Sequence, residues 1–82
     1  MNLNESKDFL VHTSSLKEVR VFSREVFEKL NLDVDLKEEL VLAIAEAAQN
    51  IVKHGYKGVK ETNDRMEIKI SLKNNNLEIG FF

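Results

Sequence analysis

A chain of 82 residues can close one small hydrophobic core and no more, which excludes a multi-domain arrangement. Twelve Lys and Arg against 14 Asp and Glu leave a formal charge of −2, with 43% apolar and 32% charged residues. That is an ordinary globular composition, and it excludes intrinsic disorder and a bulk electrostatic attraction to nucleic acid or anionic lipid. The absence of cysteine excludes a disulfide framework, a thiolate metal site and a thiol nucleophile, and the two histidines, His12 and His54, are too far apart in sequence to suggest a His-based metal site.

No apolar run approaches the roughly 18 residues of a membrane span, and Met1 to Asp8 is polar without the apolar segment of a signal peptide, so the reading is a cytoplasmic protein with no membrane partner. With no proline, repeat or Gly/Ser linker, the elements should be joined by short connections. Asp8 to His12 (DFLVH) reads as a short strand around Phe9, Leu10 and Val11. Ser15-Leu-Lys-Glu18 has the form of a capping box and predicts a helix from there to about Leu30. Its apolar residues Leu16, Val19, Phe22, Val26, Phe27 and Leu30 fall within an arc of roughly 140° at about 100° per residue.

Asn31 to Asp35 is a polar break. Asp35 with Glu38 offers a second cap, which predicts a helix from near Leu36 to a stop at Gly55. Leu36, Leu40, Val41, Ile44, Ala47, Ala48, Ile51 and Val52 form its apolar arc. A polar loop, Lys57 to Asp64, leads into Met66, Ile68, Ile70 and Leu72, which alternate with Glu67, Lys69, Ser71 and Lys73 as a strand with one buried face. Asn74-Asn75-Asn76 predicts a tight turn, and Leu77, Ile79 and Phe81 predict the partner strand. The order β, α, α, β, β implies an α+β fold, an antiparallel sheet with two helices on one face.

The second helix carries the chemistry. Glu46 and Asn50, at i and i+4, project from the same side of the helix, with His54 one further turn along and Ala43, Ala45, Ala47 and Ala48 around them. On spacing alone these residues read most simply as solvated helix surface, and His54 as a residue placed by the helix dipole. As a site, the amide offers a neutral oxygen to a hard cation, and the carboxylate can accept a proton or orient a nucleophile. Mg²⁺ needs only one or two such protein oxygens when phosphates and waters supply the rest.

The string from Leu42 to Tyr56, LAIAEAAQNIVKHGY, resembles the N-box helix of anti-sigma-factor serine protein kinases, a branch of the histidine-kinase-like (Bergerat) ATPases. That helix reads approximately small-E-A-x-x-N-x-x-x-H-[AG]-Y, matched here by Glu46, Ala47, Asn50, His54, Gly55 and Tyr56. The flanking elements fall in the same order, so the resemblance covers essentially the whole chain. It implies that Asn50 ligates the Mg²⁺ bridging the ATP phosphates and that Glu46 is the general base for a serine hydroxyl of a partner protein. Lys53 and His54 would lie near the nucleotide, and Arg20 would contact the bound partner. It further implies a sigma factor and an anti-anti-sigma protein as partners, and a homodimer.

The family's D-x-G-x-G box, which reads adenine, does not occur in these residues, whose only glycines are Gly55, Gly58 and Gly80. The expectation is therefore the N-terminal part of one ATPase domain, residues 1–82, truncated before that box and inactive alone. Two alternatives stand beside the kinase reading. One is a non-catalytic protein-binding module that uses the first helix and Arg20; the other is the ATP-binding domain of a two-component histidine kinase. Lysines 53, 57 and 60 are too scattered to suggest nucleic-acid binding.

Overall fold

A computed structural model describes residues 2–55 and 64–82. Strand β1 (Leu3–Leu10) leads through a 3₁₀ turn (Thr13–Ser15) into helix α1 (Leu16–Glu28), followed by helix α2 (Val34–Gly55), strand β2 (Arg65–Lys73) and strand β3 (Asn76–Phe81). The strands form one antiparallel sheet in the order β1-β2-β3, and the fold is α+β as expected.

The register places Phe9 opposite Met66, Ile70 between Glu5 and Ile79, and Leu72 between Leu3 and Leu77. Directly opposed residues share a face, so odd-numbered β1 and β3 residues and even-numbered β2 residues point toward the helices. Phe9, Met66, Ile68 and Ile70 are buried there. Val19, Phe22, Val26 and Phe27 of α1 and Val41, Ile44, Ala48 and Val52 of α2 complete the core. Phe9 and Phe22 meet edge to face with centroids 5.8 Å apart. The other face of the sheet is mostly polar, with Leu10 and Phe82 exposed at its Arg65 and Glu67 end.

Several boundaries differ from the sequence reading. Strand β1 starts at Leu3 rather than Asp8 and ends before His12, because the long β2 provides pairing for the polar segment that lacks β-favouring side chains. His12 instead caps the 3₁₀ turn, its Nδ1 accepting the Ser14 N–H at 3.0 Å. The capping box at Ser15 and Glu18 does not form. Ser15 is buried with helical dihedrals and no side-chain cap bond, since the preceding turn already satisfies its N–H through the His12 carbonyl at 3.0 Å.

Helix α2 begins at Val34, where the Asp33 carbonyl accepts the Lys37 N–H, so Asp35 sits in the first turn instead of capping it. Leu36, expected in the core, is exposed because at about 100° per residue it falls well outside the buried arc of Val41, Ile44, Ala48 and Val52, beside which Ala45 takes a buried position. Asn74 and Asn75 alone make the hairpin turn, both left-handed with φ of 52° and 69°, and Asn76 pairs with Lys73 as the first residue of β3. Of the expected polar loop, residues 57–63 lie outside the described residues, as does Tyr56 of the motif.

Candidate functional site

Helix α2 is apolar on one side only. Val41, Ile44, Ala45, Ala48 and Val52 are buried. Leu42, Ala43, Glu46, Gln49, Asn50 and Lys53 are exposed on the opposite side, in an arc of about 120° on the helical wheel. Glu46 lies at the middle of that stripe and Asn50 toward its Ala43 side, one turn apart, with Cβ atoms about 6 Å from each other by helix geometry. The packing of the apolar side onto the sheet therefore fixes where both side chains point: outward, where a ligand has access. Neither belongs to the core, and Ala43 and the half-buried Ala47 on their flank leave the backbone approachable.

Lys53 is exposed on the next turn of the stripe. His54 belongs to α2, but its side chain lies outside the described residues. Arg20 is exposed on α1, the other helix. Beside the stripe a cleft of about 310 Å³ opens between the 3₁₀ turn and α2, lined by Thr13, Leu16, Gln49, Val52 and Lys53. Its floor is apolar, and Lys53 and Gln49 stand at its rim. Of its lining, the sequence reading singled out Lys53 alone as a site residue. Gln49 carried a usable signal, lying four residues before Lys53 on the same helix edge, whereas Thr13 carried none, since the 3₁₀ turn that places it was not anticipated.

The donor set suits a hard cation in one specific way. The described residues contain no group of three or more His, Asp or Glu side chains able to hold a metal by themselves. A single amide oxygen beside a carboxylate fits an ion whose remaining ligands are phosphate oxygens and water, as Mg²⁺ on a nucleotide is.

A scan of protein-family models matches residues 10–80 to the histidine kinase-like ATPase domain. The chain belongs to the histidine kinase-like ATPase family. The match runs from the last residue of β1 to the penultimate residue of β3 and contains both helices, so the Glu46 and Asn50 stripe lies on a structural element of this family. No curated protein matches the chain significantly. ATP with Mg²⁺ is the ligand of such ATPase domains, in agreement with the donor set on α2. No helix among the described residues is long and apolar enough to cross a membrane.

Proposed function

We propose that this chain supplies the metal-ligand and proton-acceptor part of an ATP-dependent serine protein kinase that acts as an anti-sigma factor in a cytoplasmic partner-switching pathway. The observation that carries the reading is the pairing of Glu46 and Asn50 on the exposed stripe of α2, in a chain of the histidine kinase-like ATPase family.

Asn50 would offer its side-chain oxygen as one ligand to a nucleotide-bound Mg²⁺. Glu46, one turn away, accepts the proton of a partner's serine hydroxyl and aligns its oxygen. Bound Mg–ATP supplies the phosphoryl group to be transferred. Lys53 adds positive charge on the same side, and His54 follows on the same helix. Arg20 serves the partner on α1, and a sigma factor and an anti-anti-sigma protein are the partners in this reading. Catalysis by such a site rests on positioning and charge neutralisation, because phosphoryl transfer asks for little covalent chemistry from the protein.

The test is made in a polypeptide where these residues are followed by an Asp-x-Gly-x-Gly segment, with a serine-bearing partner and radiolabelled ATP. Glu46→Gln should abolish phosphorylation while ATP affinity changes less than about threefold, since it removes a proton acceptor and no metal ligand. Asn50→Asp should weaken Mg–ATP binding itself. Equal loss of nucleotide affinity in both variants contradicts the separate roles. Unchanged activity in both returns the pair to solvated helix surface.

A further inference from the structure

The contacts between the two helices define a groove that is closed at one end and open at the other. At the closed end Arg24 meets Glu38 at 3.3 Å and Lys37 lies 3.9 Å from Glu28. At the open end Leu16 of α1 and Gln49, Val52 and Lys53 of α2 line the cleft of about 310 Å³. Residues four apart on a helix lie in one row, so Leu16, Arg20 and Arg24 form the α1 wall, with Arg20 midway between the ion pair and the cleft. The facing row on α2 runs from Glu38 through Leu42 to Gln49. Leu42 is 54% exposed, the one large apolar side chain on the polar stripe.

Glu46 stands at the rim of this groove. At about 100° per residue, Leu42 and Gln49 lie roughly 40° and 60° to one side of it and Asn50 roughly 40° to the other. The carboxylate is therefore set between the groove and the amide proposed to ligate the metal. A proton acceptor in phosphoryl transfer needs that position, with the hydroxyl on one side and the nucleotide on the other. The charges point the same way. Arg24, Lys29 and Lys37 are each paired with a glutamate, whereas Arg20 on the α1 wall and Lys53 at the mouth of the cleft form no ion pair among the described residues. Two exposed cations beside an apolar floor complement a segment that carries both carboxylates and an apolar anchor.

We propose that this groove docks the acceptor segment of the protein substrate, an extended acidic stretch with an apolar side chain in the cleft and its serine at Glu46. The identity of the occupant rests on the kinase reading above. The spacing follows from helix and strand geometry. At 1.5 Å per residue along α2, the middle of the cleft lies about 7 Å from Glu46 and about 13 Å from Leu42. An extended segment advances about 6.6 Å every two residues and returns its side chains to the same face at that interval. An apolar residue in the cleft thus puts the second residue after it at Glu46 and the fourth on Leu42. The acceptor pattern is apolar-x-Ser-x-apolar with acidic residues between and around these positions.

The probe is the heptapeptide Glu-Leu-Asp-Ser-Asp-Leu-Glu, titrated without nucleotide into the isotopically labelled chain and followed by backbone amide shifts. Saturable shifts should appear at Thr13, Leu16, Gln49 and Val52, with a dissociation constant below about 1 mM. Lys53→Glu should weaken binding at least about fivefold and Leu42→Ala at least about threefold, with native circular dichroism in both because these side chains are exposed. Replacing the acidic residues of the peptide by lysine, or both leucines by alanine, should abolish the shifts. Glu46→Gln should not weaken docking, so docking and phosphorylation are read separately: retained phosphorylation in that variant would refute the role of Glu46 as base and leave the groove standing. No saturable shift up to about 2 mM peptide overturns the proposal, as does equal binding of the lysine peptide. Equal binding of the alanine peptide, or shifts confined to residues outside the groove, overturns the assignment of the cleft.

Discussion

Phe27 of α1 is fully buried in the core, and its removal tests that core at a single side chain. Phe27→Ala should cost about 3–5 kcal/mol in urea unfolding, most of what a domain of this size possesses, and leave a substantial unfolded fraction at 25 °C. Ser23 is equally buried but should behave in the opposite way. Its Oγ donates to the Val19 carbonyl at 2.8 Å, an acceptor one turn back in the same helix. Ser23→Ala removes the donor without stranding a partner and improves helix propensity, so its stability should stay within about 0.5 kcal/mol of the parent. A loss above about 2 kcal/mol would mean that the hydroxyl holds more than this bond. The same distinction between core and surface explains what could be read of the candidate site. Glu46 and Asn50 were legible because a spacing of four fixes a common direction on any helix, whatever it packs against. Thr13 was not, because its place beside α2 depends on a short turn whose geometry is set by the His12 side chain two positions before Ser14.

At the scale of elements, strict alternation made β2 and β3 legible almost to the residue, since a period of two has one solution when one face is buried. Strand β1 was half-missed for the converse reason: its helix-facing positions carry Glu5 and Lys7, so the pattern that marks a buried strand is broken where the edge is defended. The helix starts were misplaced where the side chains favoured one cap and the backbone used another, as at Ser15 and Asp35. Helix α1 ends at Glu28 with Lys29 still right-handed, and the chain turns at Asn31, whose φ of 56° is left-handed. The ion pairs Arg24–Glu38 and Lys37–Glu28 join the two helices across solvent and add little to stability. The hairpin provides the element-scale prediction. Asn74 and Asn75 both hold positive φ, the requirement of a type I′ turn, for which Asn-Gly is the favoured pair. Asn75→Gly should raise the urea midpoint, by about 0.5 kcal/mol or more in stability, and Asn75→Val should lower it by at least about 1 kcal/mol. Equal behaviour of the two variants would show that the turn is not held in this conformation.

At the scale of the molecule, the sheet and the buried side of α2 hold the polar stripe rigidly, yet rigidity alone does not make a nucleotide site. A triphosphate brings several negative charges, and here it would meet Glu46 on a chain of net charge −2, with Lys53 the cation on the same stripe. Phosphates are usually held by successive backbone amides at a glycine-rich loop or a helix N-terminus. The described part of the stripe lies in the middle and last turns of α2, where the helix dipole opposes an anion. The nearby cleft does not help, since its apolar floor of Leu16 and Val52 lies beside Gln49 and Lys53 rather than beside Asn50. Asn50 by itself contributes one neutral ligand, too little to retain a metal whose other ligands arrive on the nucleotide. A chain of these 82 residues should accordingly give no saturable heat when titrated with ATP and Mg²⁺ up to about 0.5 mM, a ceiling equivalent to roughly 4.5 kcal/mol of binding free energy. Appending the adenine-reading and glycine-rich segments of the family should bring binding into the micromolar range and make it sensitive to Asn50→Asp. Saturable micromolar binding by the 82 residues alone, unaffected by Asn50→Asp, would locate the nucleotide away from the α2 stripe.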